Sequence, residues 1–240
     1  EMSASLVGSE MCIRDRLRSI NWIRFLSCNG INDVDIDAVL YAQLNLLIHK
    51  LEYHLLGNHL LENGFALLFG AYYFNDPVFY KKAKTILIPE LQEQVLGDGG
   101  HFERSPMYHC IMLYRVLDCY NLVCNNALFG KELEDTLKEK AGVMLGWLEE
   151  VVYSDGRIPL LNDAAVGIAP TAKELIEYGQ RLGIFCSKKV RLKESGYRKF
   201  RWGKFELFID VGEVGPDYQP GHAHADTFSF ELYQWTACHC

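Results

Sequence analysis

The sequence predicts a mainly α fold of antiparallel helical hairpins, followed by the start of an antiparallel β domain. Apolar residues recur at helical spacing from Leu17 to about Ile184. Short breaks of Gly, Asn and Asp interrupt this pattern, so successive helices are expected to pack against each other as hairpins. Beyond Gly196 polar and apolar residues alternate instead, which is typical of half-buried strands.

Seven helices are predicted, separated by polar or glycine-containing breaks. They span residues 17–27, 35–56, 59–74, 77–95, 104–126, 131–152 and 171–182. Three strands are predicted, and they span residues 197–202, 204–211 and 227–235. A loop rich in Gly and Pro, residues 212–221, precedes the third strand, whose Phe228, Phe230 and Leu232 are expected to face the core.

Both ends of the chain look unlike the rest. Residues 11–16, MCIRDR, resemble the translation of a sequencing-library transposon adapter, and residues 1–10 have no helical or strand period. We therefore interpret residues 1–16 as sequence that is foreign to the fold. The final TACHC follows an interrupted strand, so the chain is expected to stop inside its β domain. The expected domains are a helical domain over 17–187 and the start of a β domain over 188–240.

The composition limits the kinds of binding partner and the kinds of structural site that the chain can have. The chain has 240 residues, 49% of them hydrophobic, which is enough for one sizeable core. The formal net charge of -7 gives no long-range attraction for nucleic acid. No apolar run reaches the roughly 18 residues that a membrane-spanning helix needs. The eight cysteines are scattered without a CxxC pair, which favours neither a disulfide scaffold nor a zinc finger.

The first motif with chemical potential is GNHLLENGF, residues 57–65. Gly57 is expected to end one helix and Asn58 to cap the next. His59 and Glu62 are then three residues apart on one helical face, where a carboxylate fixes the imidazole tautomer. The alternative is an ordinary cap beside a surface pair.

The second motif is GDGGHFERSPMYHC, residues 97–110. Ser105 followed by a proline is a helix-start pattern, which puts Tyr108 in the first turn of a helix. Together with the helix dipole, the preceding His101 and Arg104 are expected to lower the pKa of the phenol and make it a proton donor and acceptor. The alternative is a tyrosine that only packs at a helix start.

Two further stretches contain clustered polar residues. In GHAHADTFSF, residues 221–230, strand geometry would put His222 and His224 on one face with Asp226. Such a set suits a metal with nitrogen and oxygen ligands, a proton acceptor, or the polar rim of a strand. In SDGRIPLLNDA, Asn162 and Asp163 either line a cleft or serve ordinary turn chemistry.

Three motifs occur in a fixed order: Asn-His-x-x-Glu, then DGG-H-F-E-x-S-x-x-Tyr, then G-H-x-H-x-D at the start of the strands. Over residues 20–235 this order resembles the heparinase II/III-like polysaccharide lyases, a group that includes alginate lyase-like enzymes. The resemblance implies an (α/α) toroid, here incomplete, followed by a β-sandwich domain, here truncated, with a substrate cleft between them. It also implies cleavage of an acidic, uronic-acid-containing polysaccharide by β-elimination, without a required cofactor.

The resemblance assigns roles to single residues. Asn58 and His59 match the pair that holds the uronate carboxylate, and Glu62 matches the glutamate that follows. Tyr108 matches the tyrosine that gives or takes the proton, and His222 matches the histidine base. Which of these two groups removes the C5 proton stays open.

Other expectations follow from the same resemblance. His224 matches a histidine that binds structural zinc in some members, so a zinc ion is possible in the full-length protein. His101, Arg104, Asn162 and Asp163 are expected to bind or orient substrate. Bacterial members are often periplasmic or secreted, although no signal peptide is visible here. The sequence leaves the oligomeric state and the compartment open.

Two other functions fit the same residues. A hydrolase on the helical scaffold needs two carboxylates about 5–10 Å apart. Its candidate carboxylates are Glu62, Glu103, Asp163 and Asp226. The other alternative is a non-catalytic carbohydrate-binding fragment, unstable alone because its few strands would leave exposed edges.

Overall fold

The computed structural model of the chain describes residues 3–53, 57–186, 190–213 and 228–234. The helices within these ranges are α1 (Ser3–Asn29), α2 (Val34–His49), α3 (Gly57–Phe74), α4 (Pro77–Gln94), α5 (Pro106–Cys124), α6 (Glu132–Val151) and α7 (Ala172–Arg181). The strands are β1 (Tyr197–Trp202), β2 (Phe205–Asp210) and β3 (Phe230–Gln234). The predicted class, mainly α with antiparallel strands after the helices, is confirmed.

Two helix bounds differ clearly from the prediction. Helix α1 begins at Ser3 rather than at Leu17, so it runs through most of the segment interpreted as foreign. Whether residues 1–16 are native sequence stays a prediction. Helix α2 ends at His49 rather than at residue 56. Beyond the end of this helix, the side chain of Glu52 is buried.

The chain divides into two compact units, and the first contains residues 1–91 and 121–134. Helices α1, α2 and α3 pack against each other there. Helix α2 begins at an Asp33 cap, whose side chain accepts from the backbone N–H groups of Asp35 and Ile36. The rings of Tyr80 and Phe129 stack in this unit with centroids 4.1 Å apart.

The second unit contains residues 92–120 and 135–240. It groups the sheet with α7 and with most of α5 and α6. The expected domain limits stay a prediction. Helix α7 begins with a capping box, in which the Thr171 and Glu174 side chains satisfy each other's backbone N–H groups.

The three strands form one antiparallel sheet in the order β1-β2-β3. The prediction that Phe228, Phe230 and Leu232 face the core is wrong, because their exposed fractions are 76%, 63% and 55%. The packed face carries Phe208 and Glu206 instead. Strand alternation gives the sheet two faces. The segment that follows α6 covers the face that carries Glu206, and the Ser154 N–H of this segment donates to the Glu206 carboxylate at 2.8 Å.

Candidate functional site

The turn that starts α5 has the predicted capping geometry. The carbonyl of Ser105 accepts from the N–H of His109 at 2.9 Å, and its hydroxyl oxygen lies 3.4 Å from the N–H of Tyr108. Pro106 is the first helical residue, as the sequence predicts. Tyr108 is therefore held in the first turn of α5, where its phenol is half-buried.

The electrostatic prediction for Tyr108 is wrong. Burial raises the pKa of the Tyr108 phenol above its usual value, and the charges of Asp163 and Glu103 raise it further. The positive charge of Arg104 and the helix dipole, which are expected to lower this pKa, do not outweigh these effects. The phenol is consequently protonated at neutral pH, which suits a proton donor better than a proton acceptor.

The DGG part of the second motif is a structural anchor. One carboxylate oxygen of Asp98 accepts from the Ser195 hydroxyl at 2.7 Å and from the Ser195 N–H at 2.9 Å. The same oxygen accepts from the N–H of Lys193 at 2.9 Å. Gly99 has a φ of +89° and its Cα lies so close to Val143 that an added Cβ would overlap the Val143 carbonyl oxygen. The motif thereby fixes the segment that leads into the sheet.

His101, expected to bind or orient substrate, is buried. Its Nε2 lies 3.2 Å from the side-chain oxygen of Gln94, so Nε2 is assigned as the donor. A backbone bridge between Val95 and His101 holds the residue in place. A role in substrate binding stays a prediction for this residue.

Arg104 and Asn162 lie together in the second unit. Both adopt left-handed backbone conformations, with φ values of +55° and +50°. The Asn162 amide donates to the Arg104 carbonyl at 3.3 Å and to the Asp210 carboxylate at 2.8 Å. The buried Tyr197 hydroxyl accepts from the same amide at 3.0 Å and donates to the Arg104 carbonyl. Strained backbone of this kind concentrates at functional sites.

The next feature is the segment of residues 212–227, which we name the histidine loop because it contains His222 and His224. Gly212, the first residue of this segment, and Phe228, the residue that follows it, both bond to Asp210. The carboxylate of Asp210 accepts from the Gly212 N–H at 2.9 Å, and its carbonyl accepts from the Phe228 N–H at 2.7 Å. The Arg104 guanidinium donates to the carbonyl of Glu213. The start of the histidine loop is therefore bonded to the turn that precedes Tyr108.

The two histidines lie outside the described residues, as does Asp226. Their predicted roles in proton transfer and zinc binding therefore stay predictions. Within the described ranges no group of three or more His, Cys, Asp or Glu side chains is arranged to hold a metal ion.

The first unit holds the remaining predicted residues. The Nδ1 of His59 lies 3.1 Å from the Arg16 guanidinium and 3.9 Å from the carboxylate of Glu52. Arg16 and Glu52 are buried and form an ion pair, and Arg16 also donates to the His59 carbonyl at 2.9 Å. A guanidinium can only donate, so Nδ1 accepts and the proton of the neutral ring is on Nε2. Sequence reasoning missed Glu52, because no local pattern distinguishes it.

The neighbours of His59 differ slightly from the expectation. Helix α3 begins at Gly57, so Asn58 lies in the first turn of the helix rather than at its cap. Its side chain is half-buried, and that of Glu62 is buried. Both residues therefore lie at the N-terminal end of α3 with His59, and their roles in substrate binding stay predictions.

No described helix is long and apolar enough to cross a membrane. A comparison with curated proteins found no match to the chain.

Solved structures similar to the chain include proteins named heparinase III and heparan sulfate lyase HepC. A crystal structure of heparinase III matches with a TM-score of 0.68 and 18% identity, over 93% of this chain and 41% of that protein. The heparan sulfate lyase HepC from Pedobacter heparinus matches with a TM-score of 0.59 and 19% identity, over 93% of this chain and 39% of that protein. The chain thus spans about two-fifths of these proteins, and the likeness shows a shared fold.

Two family models match the chain in sequence order. The model described as heparinase II/III N-terminus matches residues 8–191, which is most of the chain. The model described as heparinase II/III-like, C-terminal, matches residues 187–234. The two matches meet near the point where the helical pattern gives way to strands. The chain belongs to the heparinase II/III-like family.

Proposed function

We propose that the protein is a polysaccharide lyase that cleaves an acidic, uronic-acid-containing polysaccharide by β-elimination. The observation that carries the proposal is the contact between the turn before Tyr108 and Glu213, which precedes the part of the sequence that contains His222. The Arg104 guanidinium of this turn donates to the Glu213 carbonyl. Family membership and the heparinase-like fold support the same reaction class.

The reaction begins at the uronate carboxylate. Removal of the C5 proton gives this group a second negative charge, which hydrogen-bond donors must stabilise. In the proposal, Asn58 supplies its side-chain amide and His59 its Nε2–H. The contact of Arg16 with Nδ1 leaves Nε2 as the donor, which is the tautomer that this role needs. One such donor is typically worth about 3 kcal/mol.

Proton transfer completes the elimination. His222 takes the C5 proton, the electron pair forms the C4–C5 double bond, and the C4–O4 bond breaks. Tyr108 gives its phenolic proton to the departing O4. Its raised pKa supports this assignment, because a phenol that keeps its proton at neutral pH enters the reaction as an acid. No water is consumed, and the product has an unsaturated uronate at its new non-reducing end.

The experiment is an activity screen on uronate-containing polymers, followed by ultraviolet absorbance of the unsaturated product. Tyr108→Phe is expected to lower kcat by about 10²–10⁴-fold, the usual contribution of a general acid. Polymer binding is expected to remain. Tyr114→Phe is the matched control, since Tyr114 lies on the same helix and its ring is 6.4 Å from that of Tyr178.

Two outcomes contradict the proposal. Full activity of Tyr108→Phe would remove the acid role of this residue. Saturated products that contain oxygen from the solvent would indicate hydrolysis and would overturn the lyase reaction itself. The polysaccharide is identified by the polymer for which kcat/KM is highest.

A further inference from the structure

We propose that Asn162 is a positioning residue that, with Asp210 and Tyr197, fixes the turn before Tyr108 relative to Gly212 and Phe228, the described residues at the two ends of the histidine loop. We name these three residues the Asn162 hub. The inference rests on the proposed function for its catalytic consequence. Its structural part concerns hydrogen bonds that can be measured without any substrate.

Burial excludes a direct role for the hub in substrate contact. The side chains of Asn162, Tyr197 and Asp210 are all buried. The sequence predicts that Asn162 binds or orients substrate, but its amide already donates to the other two members of the hub. The residue therefore acts through the groups it holds.

The first group that the hub holds is the turn before α5. The Arg104 carbonyl accepts from the Asn162 amide at 3.3 Å and from the Tyr197 hydroxyl. Arg104 is a bulky residue in a left-handed conformation, which persists only where its surroundings enforce it. Tyr108 follows within the next helical turn, so loss of these two bonds shifts the phenol.

The second group is the neck of the histidine loop. One carboxylate oxygen of Asp210 accepts from Asn162, and the other accepts from the Gly212 N–H at 2.9 Å. The backbone of Asp210 bonds to Phe228 and Ser229 on the far side of the loop. Phe228 has a φ of +69°, so this end of the loop is strained as well. Asp210 thus bonds to Gly212 and Phe228, the described residues at either end of the loop, and is itself held by Asn162.

The hub requires an amide at position 162. Asparagine can donate to Asp210 and to the carbonyl of Arg104 at once, and it tolerates a left-handed backbone. Aspartate has nearly the same shape and tolerates the same backbone, but it only accepts when ionised. Asn162→Asp therefore puts two carboxylates within hydrogen-bonding distance while leaving the backbone intact.

The test is Asn162→Asp with amide hydrogen exchange as the first readout. The Gly212 and Phe228 amides are expected to exchange at least about tenfold faster than in the wild type at neutral pH. Asn126→Asp is the matched control, because Asn126 is exposed and its amide donates only to the nearby Leu122 carbonyl among the bonds described. Unchanged exchange in Asn162→Asp would overturn the hub.

Lowering the pH is expected to restore part of the lost hydrogen bonding in the Asn162→Asp variant. Two adjacent carboxylates share a proton at low pH, which restores one hydrogen bond between positions 162 and 210. Protection of Gly212 and Phe228 is therefore expected to return as the pH falls. A variant that has simply unfolded would show no such recovery, which separates loss of the hub from loss of the fold.

Steady-state kinetics on a uronate polymer is the second readout. Asn162→Asp is expected to lower kcat about tenfold with little change in KM, since the uronate-binding residues are untouched. Faster exchange with unchanged kcat would contradict the positioning role while leaving the hydrogen bonds established. If the wild-type protein cleaves no uronate polymer, the proposed function fails, and the exchange result still decides the hub.

Discussion

The ammonium of Lys199 lies 3.3 Å from the carboxylate of Glu206, and both side chains are buried on the packed face of the sheet. Burial alone would raise the pKa of Glu206. Hydrogen bonds from Ser154 and Lys199, together with the charge of Lys199, outweigh burial and hold this pKa below its usual value. The pair therefore ties the sheet to the segment that follows α6.

Glu206→Gln is expected to destabilise the protein by about 3–5 kcal/mol, because Lys199 and Arg201 both lose the carboxylate that balances their charges. The pKa of Glu206 is lowered in the folded state, so its stabilisation is present above the unfolded pKa and is lost as the pH falls through the lower folded value. The stability of the wild type should thus fall more steeply below about pH 4.5 than that of the variant.

Urea unfolding at several pH values measures this difference. Glu139→Gln is the control, because Glu139 is an exposed residue of α6 and should change stability by less than about 0.5 kcal/mol. Parallel pH curves for the wild type and Glu206→Gln would refute the prediction.

Asp163→Asn is expected to lower the pKa of Tyr108. The charge of Asp163 is one of the causes that raise this pKa, after burial, and the amide removes that charge. If the phenol acts as the acid, activity falls once the pH exceeds its pKa, so the alkaline limb of kcat/KM should move to lower pH in the variant. Spectroscopic titration of the variant with and without Tyr108→Phe measures the phenol directly. An alkaline limb that stays in place, or one that moves equally in Asp135→Asn, would contradict the assignment.

Local patterns predicted the elements well, because helix and strand periods are properties of neighbouring residues. The first strand has the predicted bounds, and Ser105 caps α5 as its sequence suggests. The prediction of which sheet face is exposed was wrong. Alternation identifies two faces but does not show which of them is covered by other parts of the chain. Phe208 lies on the packed face only because the segment after α6 lies over that side.

The site was harder to predict, because its contacts join residues far apart in the sequence. Asp98 bonds to Ser195, and Asn162 bonds to Asp210, through pairings that no local motif indicates. The raised pKa of Tyr108 likewise depends on burial, which follows from packing rather than from the residues beside it. The sequence thus predicts candidate residues for the chemistry but not the contacts that hold them.

We expect copies of the isolated chain to associate with each other through the exposed apolar face of the sheet. Phe230→Thr and Leu232→Thr keep good strand formers and remove apolar surface, so stability should change by less than about 0.5 kcal/mol each. Binding of a hydrophobic dye and self-association should both decrease. Phe208→Ala is the contrasting variant, because Phe208 is buried and its loss should cost about 3–5 kcal/mol. Dye binding that stays the same in both threonine variants would exclude this face as the association surface.

The DGG anchor, residues 98–100, can be tested by comparing two glycines whose backbone φ angles are almost the same. Gly99 and Gly156 have φ values of +89° and +87°, so alanine at either position carries a similar conformational cost. A Cβ at Gly156 meets nothing within 4 Å, whereas one at Gly99 overlaps the Val143 carbonyl. Gly99→Ala should therefore lose about 1–3 kcal/mol more stability than Gly156→Ala in urea unfolding, the usual cost of overpacking. Equal losses would mean that the loop shifts freely away from α6, and that the motif does not anchor the segment leading into the sheet.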